Sequence, residues 1–182
     1  MLDGLGFELR PDARVADFPF LPVRLFKEMD LRSVPADAVF KTMTSSGTTG
    51  QTPSVIALDR ETAGNQQKAL VKIVADFLGP RRLPMLILDC PSVVKDRALF
   101  SARGAGILGF SIFGTERLYA LDDDMRLDVA GIREFLARHA GQPVLLFGFT
   151  FMVWQHFYRE LARLETPLDL SRGILVHGGG WK

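Results

Sequence analysis

Met85-Leu86-Ile87-Leu88-Asp89 is four apolar residues closed by an acid, a run too short for a helix that reads as a strand buried in a sheet. Upstream, Asp59 can cap a helix running to about Phe77. In that helix Ala63, Gln67, Leu70, Val74 and Phe77 recur at helical spacing, and Gly79-Pro80 stops it. Downstream the alternation continues. Residues 118–121 are a short strand candidate, and residues 128–139 a helix with Ile132, Phe135 and Leu136 inward and Gly141 at its end. Residues 144–147 are strand-like. Residues 150–164 form a helix with Val153, Trp154, Phe157, Leu161 and Leu164 on one stripe, and residues 173–176 give a last strand. Strands alternating with helices of this length imply an α/β fold, a mainly parallel sheet with helices on both faces.

Ahead of this pattern stands Thr44-Ser45-Ser46-Gly47-Thr48-Thr49-Gly50. Its two glycines let the backbone take positive φ and approach an anion closely, while hydroxyls and amide N–H groups supply donors around it. Residues 38–43 before it lean apolar, and residues 54–58 after it are β-branched and too short for a helix, so the loop is expected to join strand to strand. A Walker A loop would open a helix with Gly-Lys-Ser/Thr; counting from Gly47, position 52 is Thr52 and no lysine follows. A Ser/Thr/Gly cluster between strands can also be a plain turn. Seven consecutive residues of only these three types, closed by Gln51, Thr52 and Pro53, favour an anion cradle.

Composition narrows the partners. At 182 residues the chain is long enough for one domain with a sizeable core, and 47% hydrophobic with 24% charged residues is ordinary for a globular protein. A net charge of +1 gives no electrostatic footprint for nucleic acid or an anionic membrane. The longest apolar stretch, residues 144–154, is well short of the ~20 residues of a membrane-spanning helix. The N-terminus has acids and no apolar signal region, and the single cysteine, Cys90, excludes an intramolecular disulfide, so a cytoplasmic location is expected. Residues 1–37 are rich in proline and charge, with Phe18-Pro19-Phe20-Leu21-Pro22 expected to pack as an extended apolar clamp.

Ser45-Ser46-Gly47-Thr48-Thr49-Gly50, followed closely by Pro53, resembles the nucleotide-phosphate loop of the adenylate-forming ligases. The wider pattern is most similar to the acyl-protein synthetases, the long-chain fatty acid luciferin-component ligases, with phenylacetate-CoA ligases as more distant relatives. Leu25-Phe26-Lys27, Leu58-Asp59, Gln66-Gln67-Lys68-Ala69-Leu70, residues 84–89, Phe147-Gly148-Phe149-Thr150-Phe151 and His177-Gly178-Gly179-Gly180-Trp181-Lys182 carry the likeness along nearly the whole chain. The resemblance implies activation of a carboxylic acid with ATP and Mg2+ to an acyl-adenylate, followed by transfer to a protein or coenzyme A thiol. It assigns Thr44, Ser45, Ser46, Gly47, Thr48, Thr49 and Gly50 to the ATP phosphates, Gly178, Gly179 and Gly180 to the adenine, and Phe149 and Phe151 to the acyl pocket. One departure stands out: many of these ligases follow the loop proline with lysine, whereas Pro53 is followed by Ser54 with one extra residue before the proline. Backbone amides, hydroxyls and Mg2+ would then carry more of the phosphate binding.

Each assignment has a plainer alternative: a flexible tail for Gly178 to Gly180, and core packing for Phe149 and Phe151. The resemblance also implies that residues 1–182 are a partial N-terminal, nucleotide-facing domain. The rest of the large domain and the C-terminal lid domain would be absent, so no catalytic residue is assigned and Cys90 is expected to be a small apolar residue near a strand end. A parallel sheet cut there would leave an unpaired edge, to be covered in a homo-oligomer or by a partner chain. The rival from another class is a non-catalytic nucleotide- or acyl-binding module serving as one subunit of a complex.

Other signals carry less. Gly104-Ala105-Gly106-Ile107-Leu108-Gly109 spells a dinucleotide fingerprint, but residues 95–103 before it are no buried strand, so close packing of small residues is expected. One cysteine and His139, His156 and His177 give no zinc spacing. Asp122-Asp123-Asp124 is more simply an acidic turn than a cation site, and Ser111 lacks the frame of a hydrolase nucleophile.

Overall fold

The computed structural model describes residues 8, 10–44, 52–95 and 102–180. The chain divides into two compact units, Met1–Asn65 and Gln66–Lys182.

The first unit is built on a hairpin of β1, Lys41–Thr44, and β2, Val55–Leu58, paired antiparallel from Lys41↔Leu58 to Thr44↔Val55. The short helix α1, Leu25–Glu28, precedes it. Thr44 ends β1, and Ser45 to Gly50 lie outside the described residues. The expected apolar clamp is not packed as the sequence implied: Phe20 is 87% exposed, and the unit buries only Leu58 and Ser54 among its described residues. Extended Pro-flanked backbone satisfies φ at Pro19 and Pro22 without requiring a covering surface.

Helix α2, Arg60–Leu78, starts at Asp59, whose carboxylate accepts from the Thr62 amide at 2.6 Å. Hydrogen bonds from Thr62, its side chain first and its amide next, hold the Asp59 carboxyl below the usual carboxylate range. The inward stripe is narrower than the spacing implied. Val74 is buried, Phe77 is 75% exposed, and Leu78 packs on the core in its place.

In the second unit, β3 (Leu83–Ile87), β4 (Gly114–Tyr119), β5 (Val144–Phe149) and β6 (Gly173–Gly178) form one sheet in the order β4-β3-β5-β6, every neighbouring pair parallel. Pro84 lies inside β3 although it cannot donate to a ladder; the register against β4 shifts between Leu83 and Met85, which takes the proline out of regular pairing. Alternate residues of the inner strands face opposite ways. Met85, Ile87, Leu145 and Phe147 join Ile107, Val93 and Met152 on one face, while Leu86, Leu88, Val144 and Leu146 join Ile132, Phe135 and Phe157 on the other. Each such fully buried side chain contributes about 1.5–3 kcal/mol relative to exposure. Both faces are covered, which is why β3 and β5 are apolar without a polar alternation.

The covering helices are α3 (Ser92–Lys95), α4 (Ala102–Phe110), α5 (Val129–Arg138) and α6, residues 150–161. Asp128 caps α5 by accepting from the Gly131 amide at 2.9 Å. Helix α6 opens as an α turn, Thr150–Met152, widens to a π segment, Val153–Tyr158, and closes as Arg159–Leu161. A π turn re-phases the buried face relative to a 3.6-residue period. Met152 and Phe157 are therefore buried, whereas Trp154, expected inward, is 46% exposed and stacks on Tyr158 with ring centroids 5.0 Å apart. No described helix is long and apolar enough to cross a membrane.

Candidate functional site

Open parallel sheets bind ligands beyond the carboxyl ends of their strands. There β3 delivers Asp89 and Cys90, β5 delivers Phe149 and Thr150, and β6 delivers His177, Gly178 and Gly179. Pairing continues to the rim: Leu88 donates its amide to the Phe147 carbonyl at 2.8 Å, and Ala120 donates to the Ile87 carbonyl at 2.8 Å.

Two glycines make the rim compact. A Cβ on Gly148 would stand 2.8 Å from the Leu88 Cβ, so only glycine lets β5 pass β3 at this point. Gly179 has φ +84°, and a Cβ there would come within 3.0 Å of the Phe149 ring. On its other side the same ring meets Gly106 of α4, where a Cβ would also stand 3.0 Å away. Phe149 is thus held between α4 and the glycine turn, edge-on to Phe147, which stacks on Phe110 at 4.2 Å. The dinucleotide-like Gly104–Gly109 run therefore lies within the body of α4, and its Gly106 provides a close approach.

Thr150 ties the turn to β5. Its hydroxyl oxygen lies 2.8 Å from the Gly179 carbonyl, 3.0 Å from the Gly178 carbonyl and 3.0 Å from Nδ1 of His177. Beside the turn the backbone is bare among the described residues: a Cβ on Gly178 or Gly180 would meet none of them within 4 Å.

At the end of β3 the Asp89 side chain is fully buried, and the guanidinium of Arg103 closes on it bidentately, at 3.0 and 2.7 Å. The carboxylate also accepts from the Cys90 amide at 2.8 Å. Arg103 lies over the Phe151 ring, 5.7 Å from its centroid. Cys90 is a buried member of the core with its sulfur 3.1 Å from the Ser92 hydroxyl, as expected of a small apolar residue. Burial raises the Tyr119 phenol, opposed by Arg117 and reinforced by Asp89 and Cys90.

Phe149 and Phe151 are partly buried and pack against the core, so the structure gives them packing partners whether or not they also border an acyl chain. The close packing expected of the Gly104–Gly109 run is made by Gly106 against Phe149, whereas the sequence pattern did not single out the Thr150 hydroxyl or the Asp89–Arg103 pair. The one signal was Asp89 itself, an acid closing an apolar run and in need of a partner. Asp122 accepts amide hydrogens from Asp124 and Arg126, the arrangement of an acidic turn. Among the described residues no group of three or more His, Cys, Asp or Glu is placed to hold a metal. A cleft of about 420 Å³ lined by Arg133, His139, Asp169 and Arg172 opens at the amino ends of β5 and β6, away from this rim.

A parallel sheet covered by helices on both faces, with a glycine turn and a buried hydroxyl at its carboxyl edge, makes this an α/β protein. Residues 8–182 match the family described as acyl-protein synthetase, LuxE, and the chain belongs to that family, whose members are ligases acting on fatty acids. Among curated proteins and among solved structures nothing matches it.

Proposed function

We propose that this chain supplies the nucleotide-facing part of an enzyme that activates a fatty acid with ATP to an acyl-adenylate and passes the acyl group to a thiol of a protein or of coenzyme A. The observation that carries the reading is the bare glycine edge at Gly178 to Gly180, held at the carboxyl rim by Thr150 and by Phe149. Family membership supports the acyl chemistry.

In this reading the carboxylate attacks the α-phosphorus of ATP, one phosphoanhydride bond breaks and pyrophosphate leaves. Thr44 to Gly50 hold the β- and γ-phosphates through main-chain N–H and hydroxyl donors, which stabilise the charge moving onto pyrophosphate. The β1–β2 pairing reaches Thr44↔Val55, so the chain leaves the hairpin at Thr44 and rejoins it at Val55. Mg2+, when bound, neutralises phosphate oxygens. Gly178, Gly179 and Gly180 lie along the adenine, and Phe149 and Phe151 border the acyl chain.

Calorimetric titration with ATP and Mg2+ tests the nucleotide assignment. Saturable binding that an excess of GTP does not displace is the expected result; no heat of binding, or equal displacement by GTP, would refute an adenine site.

A further inference from the structure

Thr150 carries one hydroxyl hydrogen but has three polar neighbours within 3.0 Å: the carbonyls of Gly178 and Gly179 and Nδ1 of His177. The two carbonyls can only accept. If the hydroxyl donated to His177 instead, its oxygen would face two carbonyl oxygens at 2.8 and 3.0 Å with no hydrogen between them, a repulsive arrangement. The hydroxyl hydrogen therefore points at the glycine carbonyls, and Nδ1–H of His177 donates to the hydroxyl oxygen. One side chain, 8% exposed, thus links the end of β5 to the last residue of β6 and to the turn beyond it.

We propose that Thr150 is a positioning residue that sets the geometry of the glycine turn for its nucleotide, with His177 held as the Nδ1–H tautomer. The proposal rests on the adenine assignment of Gly178 to Gly180 for its functional part, and on the hydroxyl geometry alone for its structural part. Gly179 supplies a reason for such a lock. It is held at φ +84° with its α-carbon face against Phe149, and the carbonyls flanking that position need a fixed donor to keep the open edge facing outward. Valine has the shape of threonine without the hydroxyl, whereas serine keeps the hydroxyl without the methyl.

The test uses the protein expressed from its complete reading frame. Ring-nitrogen NMR is expected to show His177 protonated at Nδ1 in the wild type and to lose that preference in Thr150→Val. The same variant should bind ATP about tenfold more weakly, whereas Thr150→Ser stays within about twofold of wild type. A wild-type His177 protonated only at Nε2 when neutral would overturn the proposal, as would equal ATP affinity for Thr150→Val and Thr150→Ser. The ring measurement needs no nucleotide and stands even if a variant fails to fold. Gly179→Ala, measured in parallel, judges the adenine assignment separately. If it binds ATP as wild type does, that assignment fails, and the His177 tautomer alone decides the structural role of Thr150.

Discussion

Replacing Thr48 and Thr49 together with alanine is expected to lower carboxylate-dependent ATP–pyrophosphate exchange by about 100-fold or more, the usual cost of removing a donor aimed at charge that develops in the transition state. Ser54, not lysine, follows Pro53, so in the proposed phosphate role the loop's hydroxyls and amides would carry a larger share of the interaction. Alanine removes two hydroxyls and leaves the backbone amides, and the hairpin that anchors the loop is untouched because Thr44 and Val55 remain paired. The loss should appear chiefly in kcat, since negative charge accumulates on pyrophosphate as it leaves. Exchange at the wild-type rate would remove the loop from the mechanism.

Arg103→Leu is expected to destabilise the protein by about 3 kcal/mol, read as a fall of roughly 6–12 °C in Tm. Asp89 is fully buried, and among the described residues the substitution leaves its carboxylate with the Cys90 amide as its remaining donor. The cost is set at the low end of the ~3–5 kcal/mol typical of a broken buried pair, because the Arg103 side chain keeps 27% exposure. Adding Asp89→Asn should restore a large part of the loss, since the amide oxygen still accepts from Cys90 while the uncompensated charge is gone. Thermal unfolding of the two variants makes the comparison. A single variant within about 1 kcal/mol of wild type would mean that the pair behaves as a surface ion pair.

The parts of this fold that a sequence shows are those decided locally. Met85 to Leu88 and Val144 to Phe147 are apolar on both sides because helices cover both faces, and that alone identifies inner parallel strands. Asp59 and Asp128 mark helix starts because a cap is made with residues three positions on. What the pattern missed depends on distant neighbours. Phe77 shares the helical period of Val74, yet no described core covers it, and period says nothing about what lies opposite. Trp154 was placed inward by a 3.6-residue count that the π segment of α6 does not follow. Pro84 hid the true start of β3 at Leu83, because its missing N–H is tolerated here through a register shift.

The site divides the same way. Glycine-rich stretches announce themselves by composition, so Gly178 to Gly180 and the Thr44 to Gly50 loop stood out, although Ser45 to Gly50 lie outside the described residues. Thr150, Gly106 and Arg103 act through partners brought close by the sheet, 29, 43 and 14 residues away in sequence, and no short window contains both members of any of these pairs.

Exchange of labelled pyrophosphate into ATP, catalysed by the protein expressed from its complete reading frame, tests the carboxylate-activating chemistry most directly. Label is expected to enter ATP when a long-chain fatty acid and Mg2+ are present, and to stay out when the acid is withheld. ATP binding without exchange for any carboxylate offered, the behaviour of a non-catalytic module, would contradict the account, as would exchange that proceeds without the acid.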